Sequence, residues 1–231
     1  MITSSAEVDP SARIGEGSSI WQLAQVRENA VVGEGCIIGR GAYIGAGVQL
    51  GRNCKVQNHA LVYEPAQLDE GVFIGPAVVL TNDQYPRAIN ADGTRKTGDD
   101  WNPVGVQIGR GAAIGARAVC VAPVRIGAWA SVAAGAVVTR DVPDHALMAG
   151  VPARRIGWVG VAGMPLRADR PGEWTCPVTG QRYREDDGVL IAPQESVTEV
   201  GPSGEERNQE VGPTGHERNQ TGAVGEDEET R

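Results

Sequence analysis

The sequence predicts an all-β fold, a parallel β-helix built from six-residue units, and three observations carry that prediction. An aliphatic residue returns at every sixth position from 8 to 80: Val8, Ile14, Ile20, Val26, Val32, Ile38, Ile44, Leu50, Val56, Val62, Leu68, Ile74 and Leu80. Four residues after each of the first twelve stands a small or modest side chain, from Ala12, Ser18, Ala24 and Ala30 through Cys36, Ala42, Val48 and Cys54 to Ala60, Ala66, Val72 and Val78. The residue directly after the aliphatic is often Gly or Asp, as at Asp9, Gly15, Gly33, Gly39, Gly45, Gly51, Asp69 and Gly75. A period of six fits neither a helix nor one long strand, whose side chains repeat at about 3.6 and 2. It fits one short strand and one turn per unit. Three units close a triangular coil, so residues one coil apart stack at the ordinary strand spacing of about 4.8 Å. The aliphatic then points inward, the small residue takes a crowded corner, and Gly permits the tight turn.

Composition agrees. Gly is 32 of 231 residues, about twice the usual share, and Phe occurs once. A solenoid core of stacked small aliphatics needs few aromatics and grows coil by coil if its ends are capped. The formal charge of −8 is unevenly placed: residues 194–231 hold ten acids and three arginines, net −7, which leaves −1 for the body. A near-neutral body argues against nucleic acid or an anionic membrane as the main partner. The sequence shows no membrane span and no signal-peptide pattern at its start, so a cytoplasmic location is expected. Cys36, Cys54 and Cys120 fall in inward slots and are expected as buried thiols, not as disulfides or metal ligands.

Taken in order, residues 1–7 should cover the open end of the first coil, and about four coils follow to Leu80. The period then stops. Residues 81–101, TNDQYPRAINADGTRKTGDDW, are polar and irregular. Loops of this length inside compact domains are uncommon and usually functional. The repeat resumes at Ile108, Ile114, Cys120, Ile126, Val132 and Val138; Leu80 to Ile108 is 28 residues, not a multiple of six, so the insertion is a true excursion. It ends at Pro143. Residues 143–158 are expected as a short helical cap with a break at Gly150–Pro152, closing a β-helix domain of residues 1–158. Residues 159–193 are expected as a linker with a small hairpin around Val178-Thr179-Gly180. The tail 194–231 contains a tandem eleven-residue repeat, GPSGEERNQEV and GPTGHERNQTG, and is expected to be disordered.

A repeat specifies a scaffold and not an activity. Stacking arithmetic nevertheless singles out Glu64 and Asn82, which differ by one coil, each two residues past an inward aliphatic, with Asn82 opening the long loop. A carboxylate and an amide beside such a loop suit an amine, although the same residue types commonly satisfy turn backbone. His59 is a candidate general base on the grounds of its imidazole. Arg87, Arg95 and Lys96 make the loop basic, and Asp99 and Asp100 close it.

Two groups of residues carry a family resemblance. The stretch Lys55-Val56-Gln57-Asn58-His59-Ala60, followed by Val62-Tyr63-Glu64, Gly71-Val72-Phe73-Ile74-Gly75-Pro76, Leu80-Thr81-Asn82 and Pro86-Arg87, resembles the bacterial nucleotide-sugar 3-N-acetyltransferases. The run Gly135-Ala136-Val137-Val138-Thr139-Arg140-Asp141-Val142-Pro143, with Gly150-Val151-Pro152-Ala153-Arg154, is similar to the wider hexapeptide-repeat acyltransferases. This resemblance implies a left-handed helix, a homotrimer with sites between subunits, acetyl-CoA as donor and no metal. It also implies that Asn82, with Glu64, holds the acceptor amine, that Asn58, Asp83 and Arg87 meet the substrate, and that Ala116, Ala134, Arg140 and Arg154 line the coenzyme groove. Ala116 N–H is then a candidate donor to the thioester oxygen. Relatives typically carry a small or amide residue where this chain has His59, so transfer without a side-chain base stands beside His59 catalysis.

The expected acceptor is a UDP-linked 3-amino sugar, a uronate among the options, used in cell-surface polysaccharide synthesis. The alternatives are a dTDP-linked 3-amino-3,6-dideoxyhexose and a non-catalytic β-helix assembly module. A zinc carbonic anhydrase on the same scaffold would need three histidines, and the body has only His59 and His145.

Overall fold

Strands of two residues suffice here, because each inward aliphatic needs a single pleat to reach the axis before a corner redirects the chain. The computed structural model describes residues 1–191; the acidic stretch 194–231, expected as a disordered tail, lies outside the described residues. Three parallel sheets form the faces of a left-handed prism. The first face stacks Glu7–Val8, Gln25–Val26, Tyr43–Ile44, Leu61–Val62, Val79–Leu80, Val119–Cys120 and Val137–Val138. The second stacks Arg13–Ile14, Val31–Val32, Gln49–Leu50, Gln67–Leu68, Val106–Ile108 and Val124–Ile126. The third stacks Ser19–Ile20, Ile37–Ile38, Lys55–Val56, Phe73–Ile74, Ala113–Ile114 and Ser131–Val132.

Register follows the coil of 18, with Val26 beside Ile44 and Ile44 beside Val62. Across the insertion Leu68 pairs with Ile108, 40 residues on, so the excursion adds 22 residues at one corner and leaves the register of the faces intact. The inward aliphatics Ile38, Ile44, Val56, Val62, Ile74 and Ile114 are all fully buried. Each stabilises the fold by about 1.5–3 kcal/mol relative to exposure. Coils are joined by backbone bonds such as Tyr43 N–H to Ala60 O at 2.9 Å and Leu61 N–H to Val78 O at 2.8 Å. Close stacking explains Gly45: a Cβ there would lie 2.7 Å from Glu64 N and overlap the Glu64 carboxylate. All four cysteines are free and buried, and Cys36 and Cys54 donate to Gly51 O and Asp69 O at 3.2 and 3.1 Å.

At the start, Ile2 bridges to Ile20 and begins the third face, while Val8 and Ile14 stay half-buried. The other end departs from expectation. Residues 143–158 form no helix: Ala146–Gly150 and Ala153–Trp158 are antiparallel strands, and the former continues the third face beside Ser131–Val132. The reason is a period of two, in which Ala146 and Met148 are buried and Leu147 and Ala149 are less so. A strand also satisfies the open edge of the last coil, which a helix would leave unpaired. The stretch expected as linker is ordered as well. Val159 and Leu166 are buried, and Arg167–Arg170 joins Glu173–Thr175, Arg182–Asp186 and Val189–Ile191 in an antiparallel sheet whose middle hairpin is the one anticipated around Thr179. Glu185 ties this sheet to the cap, accepting from Trp158 Nε1 at 2.8 Å, Trp174 Nε1 at 3.0 Å and Arg155 at 3.1 Å. His145 is structural: it is buried, with Nδ1 3.0 Å from Val159 O and its ring edge-on to Tyr183.

Candidate active site

The site begins at the corner between the first and second faces, where the chain leaves the coil after Leu80. Val104 N–H donates to Asn82 O at 3.1 Å and closes the neck of the insertion. Thr81 Oγ1 accepts from Ala122 N–H at 2.9 Å and anchors that neck to the next coil. Beyond it the loop folds back on itself. Ile89 and Arg95 bridge, Lys96 N–H reaches Ala88 O at 3.0 Å, and Gly98–Asp100 is a single helical turn. Asp83 Oδ1 accepts from Tyr85 N–H at 2.9 Å, which turns the chain into the loop.

Folded this way, the loop walls a cavity of about 670 Å³ with Tyr63, Glu64, Asn82, Asp83, Tyr85, Arg87, Lys96 and Trp101 among its lining residues. Glu64 and Asn82 therefore meet as the stacking arithmetic implied, and Asp83 and Arg87 join them. Glu64 Oε2 is buried and has no hydrogen-bond partner among the described residues. A buried carboxylate oxygen without a donor is costly, and a cationic or N–H ligand would relieve that cost. Tyr43 lies close by, its ring 5.1 Å from that of Tyr63. Burial pushes the Tyr43 hydroxyl pKa up, and the Glu64 charge adds to the shift.

The remaining expected residues stand elsewhere in the chain. Asn58 and His59 occupy the corner between the third and first faces, across the first face from Glu64 and Asn82. Asn58 Oδ1 accepts from Arg40 N–H at 2.9 Å, so its carbonyl oxygen is engaged by the coil below. His59 has φ 59° and lies exposed over Gly41, the left-handed corner position that Ala77 fills one coil higher at φ 55°. Ala116 and Ala134 stack on this same corner. Where Asn58 caps Arg40 N–H, Ala134 offers no acceptor to Ala116 N–H, which leaves that donor available to a ligand. Arg140 is exposed on the corner of Asn82, and Arg154 is exposed on the cap edge strand, so one chain does not bring these two cations together. Among the described residues no group of three His, Cys, Asp or Glu side chains is placed to hold a metal, and no helix is long and apolar enough to cross a membrane.

Tyr63, Tyr85 and Trp101 were missed as cavity residues. One signal was available. The chain has only five Trp, four Tyr and one Phe, and the solenoid core needs almost none of them, yet Tyr85 and Trp101 fall within the insertion.

Known families match both repeat tracts. "Bacterial transferase hexapeptide (six repeats)" matches residues 11–48, and "Hexapeptide repeat of succinyl-transferase" matches residues 105–140. Both tracts are thus similar to hexapeptide-repeat models, each over fewer than forty residues of this chain. Among curated relatives, this chain is 45% identical over 82 residues to dTDP-3-amino-3,6-dideoxy-alpha-D-galactopyranose 3-N-acetyltransferase of Aneurinibacillus thermoaerophilus, a match that spans 35% of this chain and 41% of that protein. It is 38% identical over 88 residues to serine acetyltransferase of Escherichia coli, spanning 38% of this chain and 31% of that one. It thus matches well under half the length of either relative. A UDP-N-acetylglucosamine acyltransferase from Bacteroides fragilis shares the fold, with TM-score 0.55 and 17% identity over 68% of this chain and 60% of that chain.

Proposed function

We propose that this hexapeptide-repeat protein is an acetyl-CoA-dependent N-acetyltransferase whose acceptor is the 3-amino group of a nucleotide-linked sugar. The observation that carries the reading is Glu64 Oε2, buried with no donor among the described residues and beside Asn82 in a cavity walled by the loop. A volume of about 670 Å³ with Arg87 and Lys96 in the wall exceeds what a single small amino acid requires. It falls in the range of about 300–1,000 Å³ common for larger ligands. That weighs against serine as acceptor, although serine acetyltransferases are among the relatives. The name of the 45% identical relative moves the nucleoside choice from uridine toward deoxythymidine and a 3-amino-3,6-dideoxyhexose.

In this reading acetyl-CoA supplies the thioester. Glu64 and Asn82 orient the acceptor amine so that its lone pair meets the thioester carbon. Ala116 N–H stabilises negative charge developing on the thioester oxygen. The N–C bond forms, the C–S bond breaks, and the amine proton leaves with the departing thiolate.

Ala116 and Glu64 stand on different corners of one chain, so the reading needs a second copy. The outward side chains of the first face supply a surface for one: after Glu7 and Gln25 come Tyr43, Leu61, Val79, Val119 and Val137, an apolar strip over five coils. The second face presents Arg13, Val31, Gln49, Gln67, Gln107 and Arg125 in the same places, one apolar residue among five polar ones. A homotrimer packed along the first face would cover the strip and bring the Ala116 corner of one copy toward the loop of its neighbour.

The test is thiol release from acetyl-CoA with a panel of UDP- and dTDP-linked 3-amino sugars, with serine as control. Turnover with a nucleotide amino sugar supports the reading. Turnover with serine alone, or none with any amine, rejects it.

A further inference from the structure

The loop cavity holds more than an amine site uses. Glu64 and Asn82 line it from the coil, and Tyr85, Arg87, Lys96 and Trp101 line it from both limbs of the loop. Two of the loop carboxylates are committed to turns: Asp92 accepts from Thr94 N–H at 3.0 Å and Thr94 Oγ1 at 2.6 Å, and Asp100 from Thr97 N–H at 2.8 Å and Oγ1 at 3.0 Å. Arg87 and Lys96 form no ion pair among the described residues. Tyr85 is 77% exposed and Trp101 36% exposed, so neither serves as core. Arg87 spends one N–H on Pro86 O at 2.7 Å and keeps its other donors. Exposed aromatics beside cations without an ion pair make the chemical pattern that receives a base and its phosphates, since every base offers a π-face and the cations offer charge-assisted hydrogen bonds.

We propose that Tyr85 and Trp101 form the platform for the acceptor's nucleobase, with Arg87 and Lys96 on its diphosphate. The loop then selects a nucleoside diphosphate, while Glu64 and Asn82 hold the amine in the same cavity. This inference rests on the nucleotide-sugar reading above and adds to it the residues that recognise the nucleotide. Stacking tolerates any base, so the platform contributes affinity for the nucleoside and little choice among bases.

Calorimetric titration of the full chain with UDP, dTDP, GDP and inorganic pyrophosphate tests it. The expected result is that at least one nucleoside diphosphate binds, and that Trp101→Ala and Tyr85→Ala each weaken that binding by about tenfold or more. Trp101→Phe should restore most of the loss. Pyrophosphate, which has no base, should bind these variants as it binds the parent and should be lost from Arg87→Ala/Lys96→Ala. Unchanged nucleoside diphosphate binding in Trp101→Ala and Tyr85→Ala overturns the platform and leaves the acceptor reading standing. An equal loss of pyrophosphate in those variants also overturns it, because a base platform has no grip on a ligand without a base. If the parent chain binds none of the three nucleotides, the platform and the nucleotide-sugar reading fall together.

Discussion

Val104 donates its backbone N–H to Asn82 O at 3.1 Å, so the neck of the insertion is held by the main chain of Asn82 and not by its side chain. The carboxamide is left to face the cavity shared with Glu64. Structure and chemistry at this residue are therefore separable by mutation. Asn82→Ala should keep the melting temperature and lower kcat/KM by about one to three orders of magnitude, the scale of lost orientation and one hydrogen bond near the reacting atom. Steady-state kinetics at saturating acetyl-CoA, paired with thermal melts, check it. An inert Asn82→Ala would remove the amine-anchoring role.

His59 gives the opposite expectation. Its φ of 59° is a conformation that Asn adopts more readily than most residues, and the ring lies exposed over Gly41. His59→Asn should hold stability and change turnover by only a few-fold, with the pH–rate profile unaltered. A loss of roughly 10²–10⁴-fold, together with loss of the acidic limb of that profile, would mark His59 as the general base.

Ile44 tests the register. It is fully buried and stacked between Val26 and Val62. Ile44→Asp places an unpaired carboxylate among aliphatics at a cost of several kcal/mol, and because each coil rests on its neighbours the damage should spread. Unchanged, cooperative melting would contradict the assignment of this residue to the interior.

Glu185 links stability to pH. The Trp158 indole N–H is the leading cause that holds its carboxyl below the ordinary range, with the Arg155 guanidinium and Trp174 adding to it. A lowered folded pKa means that the unfolded chain binds the proton more readily. The carboxylate's contribution is thus complete above the unfolded value of about 4.3 and is lost as pH falls through the folded value. Thermal melts between about pH 6 and 3 should show this loss in the parent chain. Glu185→Gln should melt lower at neutral pH and show a shallower dependence on acid. Parallel curves for the two proteins would assign the acid sensitivity elsewhere.

Most of the solenoid was legible in the amino-acid order because its contacts are periodic. Once Ile20, Ile38 and Val56 are seen to recur at one coil length, the faces, the core and the stacking of Glu64 beneath Asn82 follow from counting alone. Even the 28-residue step from Leu80 to Ile108 marked the excursion before its shape was known. The separation of His59 from Asn82 was written in the same arithmetic, since they fall on different corners.

Two things waited on tertiary structure. The cap was expected as helix and is strand, because the unpaired edge of Ser131–Val132 recruits Ala146–Gly150, a demand that acts between segments and leaves little mark on local composition. The loop has no period at all. Its path is decided by bonds between residues far apart in the chain, Val104 to Asn82 and Ala122 to Thr81, and by turns built on Asp83 and Thr97. Only after those bonds form do Tyr85, Lys96 and Trp101 come to face Glu64, because a repeating sequence determines every contact that repeats, while a cavity made once depends on contacts that occur once.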